Sequence, residues 1–309
     1  MSLHTGLDQV RAPEAPDFSF GHVLTVSLWI LVWNLTRFLT MAVLIAIPLA
    51  AAIAVVHYLL PREGFQIDFS HIEIQPSDLP ATLVALLLVI LTVATYLVTQ
   101  GAIAYRTVQS LAGRSASNEA AITRSVATLP RMLGAGITLA IVYGSLGVTA
   151  LFASGVLPPV ASDSTIASPT RASIVLALAL IAFLYLGIIW WVLIPALVME
   201  RAGALACFAR SWTLTEGRRG TILAILLLFC LVEASAQVLL GRLDLPPLPL
   251  PAMQVLWLQT APVLVPVQQI LSGLVGFVFF CWGCVLAAIG YYHLLGEKEG
   301  AAALVKAFD

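Results

Sequence analysis

Six apolar stretches, each long enough to cross a bilayer, restrict this chain to one broad class of fold before any single residue is weighed. They run from about Phe38 to Leu60, Ala81 to Tyr105, Met132 to Leu157, Ala172 to Met199, Thr221 to Leu240 and Val263 to Leu295. A hydrocarbon core of ~30 Å takes about 20 helical residues at ~1.5 Å each, so every stretch suffices. Only 10% of the 309 residues are charged, 60% are hydrophobic, and mean hydropathy is +0.99. Soluble domains carry about 25% charged residues. So few charges cannot cover a water-facing surface, and lipid must solvate most of the molecule. The expected fold is an all-α membrane protein with six transmembrane helices.

The charges that remain exclude some functions and orient the spans. A formal net charge of −1 leaves no basic surplus to neutralise nucleic-acid phosphates. Twelve basic residues fall on one side of the expected bilayer: Arg11 and Arg37, then Arg106, Arg114, Arg124 and Arg131, then Arg201, Arg210, Arg218 and Arg219, then Lys298 and Lys306. Only Arg62, Arg171 and Arg242 fall on the other. The positive-inside rule therefore places both termini in the cytoplasm. Thirteen of the fifteen basic residues are Arg, the bias of a GC-rich bacterial gene, so the expected location is a bacterial inner membrane. Residues 1–18 read as a disordered cytoplasmic tail rather than a signal peptide, 19–295 as one membrane domain, and 296–309 as a second cytoplasmic tail.

Polar-studded segments precede the outward-going spans. The longest, Glu200 to Ile225, places Leu205, Phe208 and Trp212 on one face with Arg210 and Arg218 away from it. Between Ser115 and Arg131, Ile122, Val126, Leu129 and Leu133 share a face opposite Arg124, Thr128 and Arg131. A third runs from Ser19 to about Leu35, and the apolar stretch continuing to Leu60 should divide there, since one helix would measure about 57 Å. Each segment begins at a small residue (Ser19, Ser117, Gly203), and eight residues on stands Ser27, Ser125 or Ser211. The chain thus reads as three parallel repeats of interfacial amphipathic helix plus membrane hairpin, at about 19–113, 114–201 and 202–295. Lying at the acyl boundary, such helices would form a collar whose Arg side chains reach lipid phosphates.

Within the third segment, Glu200, Ala204 and the run Arg210-Ser211-Trp212-Thr213-Leu214-Thr215-Glu216-Gly217, followed by Arg and an apolar span, resemble a motif of a widespread bacterial group. Phe18-Ser19-Phe20-Gly21 is similar to that group's usual start. The group is named for the membrane domain of glycerophosphoryl diester phosphodiesterases and includes stand-alone inner-membrane proteins of unknown function. The resemblance covers nearly the whole chain. It does not imply phosphodiesterase activity, which in fused members belongs to a separate soluble barrel.

Two sets of residues are candidates for a site. Glu233 is the one acid well inside a span, where a charge costs ~2.5–3.5 kcal/mol on insertion scales. Gln237 shares its face, and His57, Gln268 and Gln269 fall at similar depth, so a polar spot is expected there. The second set is the collar surface: Arg210, Trp212, Thr215, Glu216, Arg218, Arg219, Arg124 and Arg131. Cys281 and Cys284 form a CxxC inside the sixth span, where they read as small packing residues. The five His show no metal-ligand spacing, and no nucleophile–base pair is found. No cofactor and no metal are expected. Membrane lipids and an unspecified protein of membrane or cytoplasm are the expected partners. The favoured role is a non-catalytic module that organises lipid or a partner through the collar. A small-solute or lipid transporter working at Glu233 is the alternative, and an intramembrane enzyme stands third.

Overall fold

The structure is a computed structural model and describes residues 18–59, 79–154, 169–200, 202–243, 248–249, 264–265 and 267–308. The expected N-terminal tail, apart from Phe18, lies outside the described residues. The helices are α1 (Phe20–Leu59), α2 (Leu79–Leu111), α3 (Asn118–Ser154), α4 (Pro169–Ile189), α5 (Leu193–Met199), α6 (Ala204–Thr215), α7 (Arg219–Gly241) and α8 (Val267–Phe308). A two-residue antiparallel pairing joins Leu248–Pro249 to Leu264–Val265. Six helical segments are long and apolar enough to span a membrane: Phe20–Val55, Thr82–Leu111, Asn118–Ser154, Ser173–Met199, Arg219–Gly241 and Ile270–Gly300. The chain is a multi-pass membrane protein, and helices suit it because each satisfies its own backbone groups in lipid.

Four boundaries differ from the sequence reading, and each has a local cause. The division expected near Arg37 does not occur, since α1 is one helix of 40 residues; α3 likewise carries its polar start and its span without a break. Only the third segment divides, into α6 and α7, at Gly217 with φ 83°. Six residues after Ser211 stands Gly217, whereas six after Ser27 and Ser125 stand Trp33 and Arg131. A Cβ disfavours the left-handed conformation, so those two positions stay helical.

The fourth span, expected to be continuous, breaks at Trp190–Val192 into α4 and α5. Pro195 is responsible: it offers no N–H to the Trp191 carbonyl and its ring would crowd that carbonyl in a regular helix. The Leu193 N–H turns instead to the Trp190 carbonyl at 3.0 Å. Finally, α8 does not stop near Leu295 but stays helical as far as Glu299, where Gly300 (φ 77°, ψ 178°) kinks it into a second helical stretch that ends at Phe308.

Burial is concentrated at one end of the bundle. There the first half of α1, the second half of α2, the start of α3, all of α5, α6, the start of α7 and the later part of α8 meet. Phe38, Ile103, Met132, Leu197, Ile222 and Leu286 are each sealed from solvent in this region. In the opposite halves, among the described residues, only Met41, just past the middle of α1, and Ala150, Ser154 and Ala179 are buried. The well-packed end is the end that carries the collar segments.

Candidate functional site

The collar segments bury small and hydroxyl side chains together with some apolar ones, while several bulky apolar side chains face outward. Along α3 the buried side chains are Ala121, Ser125, Thr128, Met132 and Ala135, at helical spacing, while Val126 is exposed. In α6 they are Cys207, Ser211, Leu214 and Thr215, while Leu205 is 74% exposed and Trp212 is exposed too. In α1 Ser27 is buried between Val23 and Ile30, whereas Trp29 and Val32 are exposed and Trp33 is 71% exposed. Small and hydroxyl side chains let helices approach closely in a membrane, and bulky apolar ones face outward. Thr128 and Thr215, expected on the outer surface, are therefore inside.

The three serines make comparable contacts. Ser125 donates to the Val98 carbonyl of α2 at 2.8 Å, and Ser211 to the Ile189 carbonyl of α4 at 2.7 Å. The second of these uses the carbonyl at the Pro195 break. Ser27 donates to the Leu24 carbonyl at 2.8 Å and accepts from Trp282 Nε1 of α8 at 2.9 Å. Each serine thus ties a collar segment to a helix that returns to the same end of the bundle.

Most collar arginines have partners within the chain. Glu200, which caps α5, accepts from Arg210 Nε at 2.9 Å and from the buried Tyr291 hydroxyl at 3.0 Å. Arg210 also donates to Glu299, Arg218 donates to Glu297, and Lys298 donates to the Thr213 carbonyl. Residues 297–299 of α8, expected to belong to a tail, therefore clasp the α6–α7 turn from both sides. Glu299 first, and then Glu200, raise the Arg210 pKa above its ordinary value against the opposing effect of burial. Arg124 donates to the Val198 and Met199 carbonyls at 3.1 and 3.4 Å, closing the C-terminal turn of α5. Arg219 donates to the Tyr185 hydroxyl at 3.1 Å and lies 4.6 Å from the Trp212 ring centroid, a cation–π contact. Arg131 and Glu216 are exposed.

The polar spot expected in the spans is described in part. Gln237 accepts from Ser272 of α8 at 2.8 Å, and Gln268 stands one turn from Ser272. Glu233 and Gln268 are half-buried. The side chains of His57 and Gln269 lie outside the described residues. Cys281 and Cys284 are both free and buried.

A basic cavity sits where α1, the end of α2 and the start of α3 meet. Its volume is about 480 Å³ and its lining includes Asn34, Arg37, Arg106, Ser110, Arg114 and Asn118. Arg106, only 9% exposed, donates through Nη1 to Asn118 Oδ1. No carboxylate occurs among the described residues that line it. Sequence reasoning used these arginines only to orient the spans. The available signal was a run of Arg and Ser, from Arg106 to Ser117, that contains no acid.

No family model, no curated protein and no solved structure matches this chain.

Proposed function

We propose that this is a non-catalytic membrane module of a bacterial inner membrane, with both termini cytoplasmic, that organises anionic lipid through its collar. The observation that carries the reading is the outward display of Trp29, Trp33, Leu205 and Trp212 at the end that holds most of the basic residues. Tryptophan is enriched at membrane interfaces, where one side of the ring meets acyl chains and the other meets headgroups. In this reading the collar belongs to three parallel repeats. The matching burial of Ser27, Ser125 and Ser211 and their bonds to returning helices support that pattern. The likeness to the membrane domain of the glycerophosphoryl diester phosphodiesterase group fits the same role, without hydrolytic activity.

Reconstitution with spin-labelled lipids tests the proposal. Spin-labelled phosphatidylglycerol should show a larger motionally restricted fraction than phosphatidylcholine. One basic residue near an anionic surface is worth ~1 kcal/mol, about a fivefold preference. The preference should shrink with added salt, because exposed charges are screened. Equal restricted fractions for the two lipids at low salt would refute it.

A further inference from the structure

We propose that the strip of α8 between α2 and α7 binds a lipophilic organic cation, of the quaternary ammonium or phosphonium class, against the Glu233 carboxylate. Glu233 is half-buried within the α7 span, ~21 Å along the helix from Arg219 and ~13 Å from Arg242. Among the described residues it has no ion pair and no hydrogen bond. A charge at this depth is costly unless it meets protein, water or a counter-ion. The collar carboxylates are placed differently: Glu200, Glu297 and Glu299 are each met by an arginine.

Three helices give the strip its shape. Both α2 and α7 pack on α8. Ser272, Gly276 and Phe280 stand at four-residue spacing and so share one face of α8. Gln237 of α7 touches the first two, and Tyr96 of α2 lies against the third. Glu233 is within electrostatic reach of the Tyr96 hydroxyl, so the two walls face the same strip. Its floor is low: a Cβ at the exposed Gly273 would meet nothing within 4 Å, and one at Gly276 only Gln237 Nε2, at 3.8 Å. Tyr96 remains 52% exposed.

Aromatic rings decide which cation fits. The Tyr96 and Phe280 ring centroids are 4.8 Å apart. Phe229, one turn from Glu233 on the same face of α7, meets Phe279 at 5.9 Å and Trp282 at 5.3 Å. Ring faces attract cations that hold water weakly, above all quaternary ammonium ions. A small inorganic cation instead requires a shell of about six oxygens. The Gln237 carbonyl oxygen already accepts from Ser272 at 2.8 Å, and no group of three His, Cys, Asp or Glu suited to a metal occurs among the described residues.

The inference does not rest on the collar reading, because its residues lie in the spans. The full-length protein in neutral detergent is titrated with radiolabelled tetraphenylphosphonium by equilibrium dialysis. Binding should be saturable, displaced by the unlabelled cation and not by uncharged triphenylphosphine oxide. Glu233→Gln should weaken it by at least about tenfold, since it removes the charge and keeps the shape, and Glu233→Asp should retain part of it. Glu233→Gln should also keep the parent's elution and melting profile. Photo-crosslinking of an azidophenyl triphenylphosphonium to the unmutated protein provides a readout independent of any variant's folding. It should mark the peptides that carry Tyr96, Glu233 or Phe280, and excess tetraphenylphosphonium should suppress the marking.

Saturable binding that falls in Glu233→Gln and returns in part in Glu233→Asp upholds the proposal. Absence of saturable binding by the unmutated protein overturns it, as does unchanged binding in Glu233→Gln. If Glu233→Gln does not fold, the crosslinks decide: suppressible marking of those three peptides upholds the site, and marking confined to other peptides overturns it.

Discussion

Glu200→Ala is expected to destabilise the protein by about 2–3 kcal/mol, the largest loss from removing any one collar charge. Breaking a buried ion pair by deleting one member costs ~3–5 kcal/mol, because the other is left uncompensated. Two features reduce that figure here. The Arg210 and Glu200 side chains keep 26% and 20% of their exposure, and Arg210 retains Glu299. One feature works the other way: the Tyr291 hydroxyl is buried and would lose its acceptor, which costs ~1–3 kcal/mol. Unfolding in detergent measures the loss, and a double-mutant cycle with Arg210→Met isolates the pair. The double variant should recover part of the stability. An effect below about 0.5 kcal/mol for Glu200→Ala, the scale of a surface ion pair, would show that the clasp contributes no more than an exposed pair.

Gly290→Leu should be more damaging, at about 3 kcal/mol or above. A Cβ at Gly290 would lie 2.5 and 2.8 Å from two carbons of the Trp191 ring. An indole has no flexible end to move aside, and overpacking a tight core costs ~1–3 kcal/mol even for smaller insertions. The ring is placed there by the Pro195 break, so the clash would push on the junction of α4, α5 and α8 together. Trp191→Ala should relieve the steric part of the defect and rescue Gly290→Leu in the double variant. Additive losses would show that the two positions are not in contact in the folded protein.

The spans were legible because hydropathy and length are properties of local sequence, and lipid demands both. Which face of each collar segment turns inward was not legible. Periodicity locates an apolar stripe, but it does not say whether protein or lipid covers that stripe. In α6 Leu205 and Trp212 of the expected stripe face outward, Phe208 is half-buried against the core, and the side chains around Ser211 pack inside. The three equivalent serines were visible in sequence, yet their partners Val98, Ile189 and Trp282 are set by tertiary packing.

Helix breaks divided along the same line. Gly217 and Pro195 are local signals: Gly217 ends the helix where it stands, and Pro195 acts about one turn ahead of its own position. The pairings of Arg210 with Glu299 and Arg218 with Glu297 join residues far apart in the chain, and no spacing rule reaches them. The basic cavity was missed for a similar reason. Arg37 approaches Arg106 and Arg114 only once α1 packs against α2 and the start of α3.

The depth of the collar tests the account most directly. A nitroxide is placed at Leu205→Cys or at Trp33→Cys, after the exposed Cys230 is changed to Ala. The remaining thiols are buried. Burial, and then the Glu200 carboxylate, push the Cys207 thiol up to about 11 despite nearby Arg131 and Arg210, so it stays a poor nucleophile at neutral pH. In reconstituted bilayers, power-saturation EPR should place both labels within about 5–10 Å of the headgroup–acyl boundary, accessible to oxygen and poorly accessible to a water-soluble nickel chelate. Labels freely accessible to the nickel chelate and not to oxygen would put the collar in water and contradict the account.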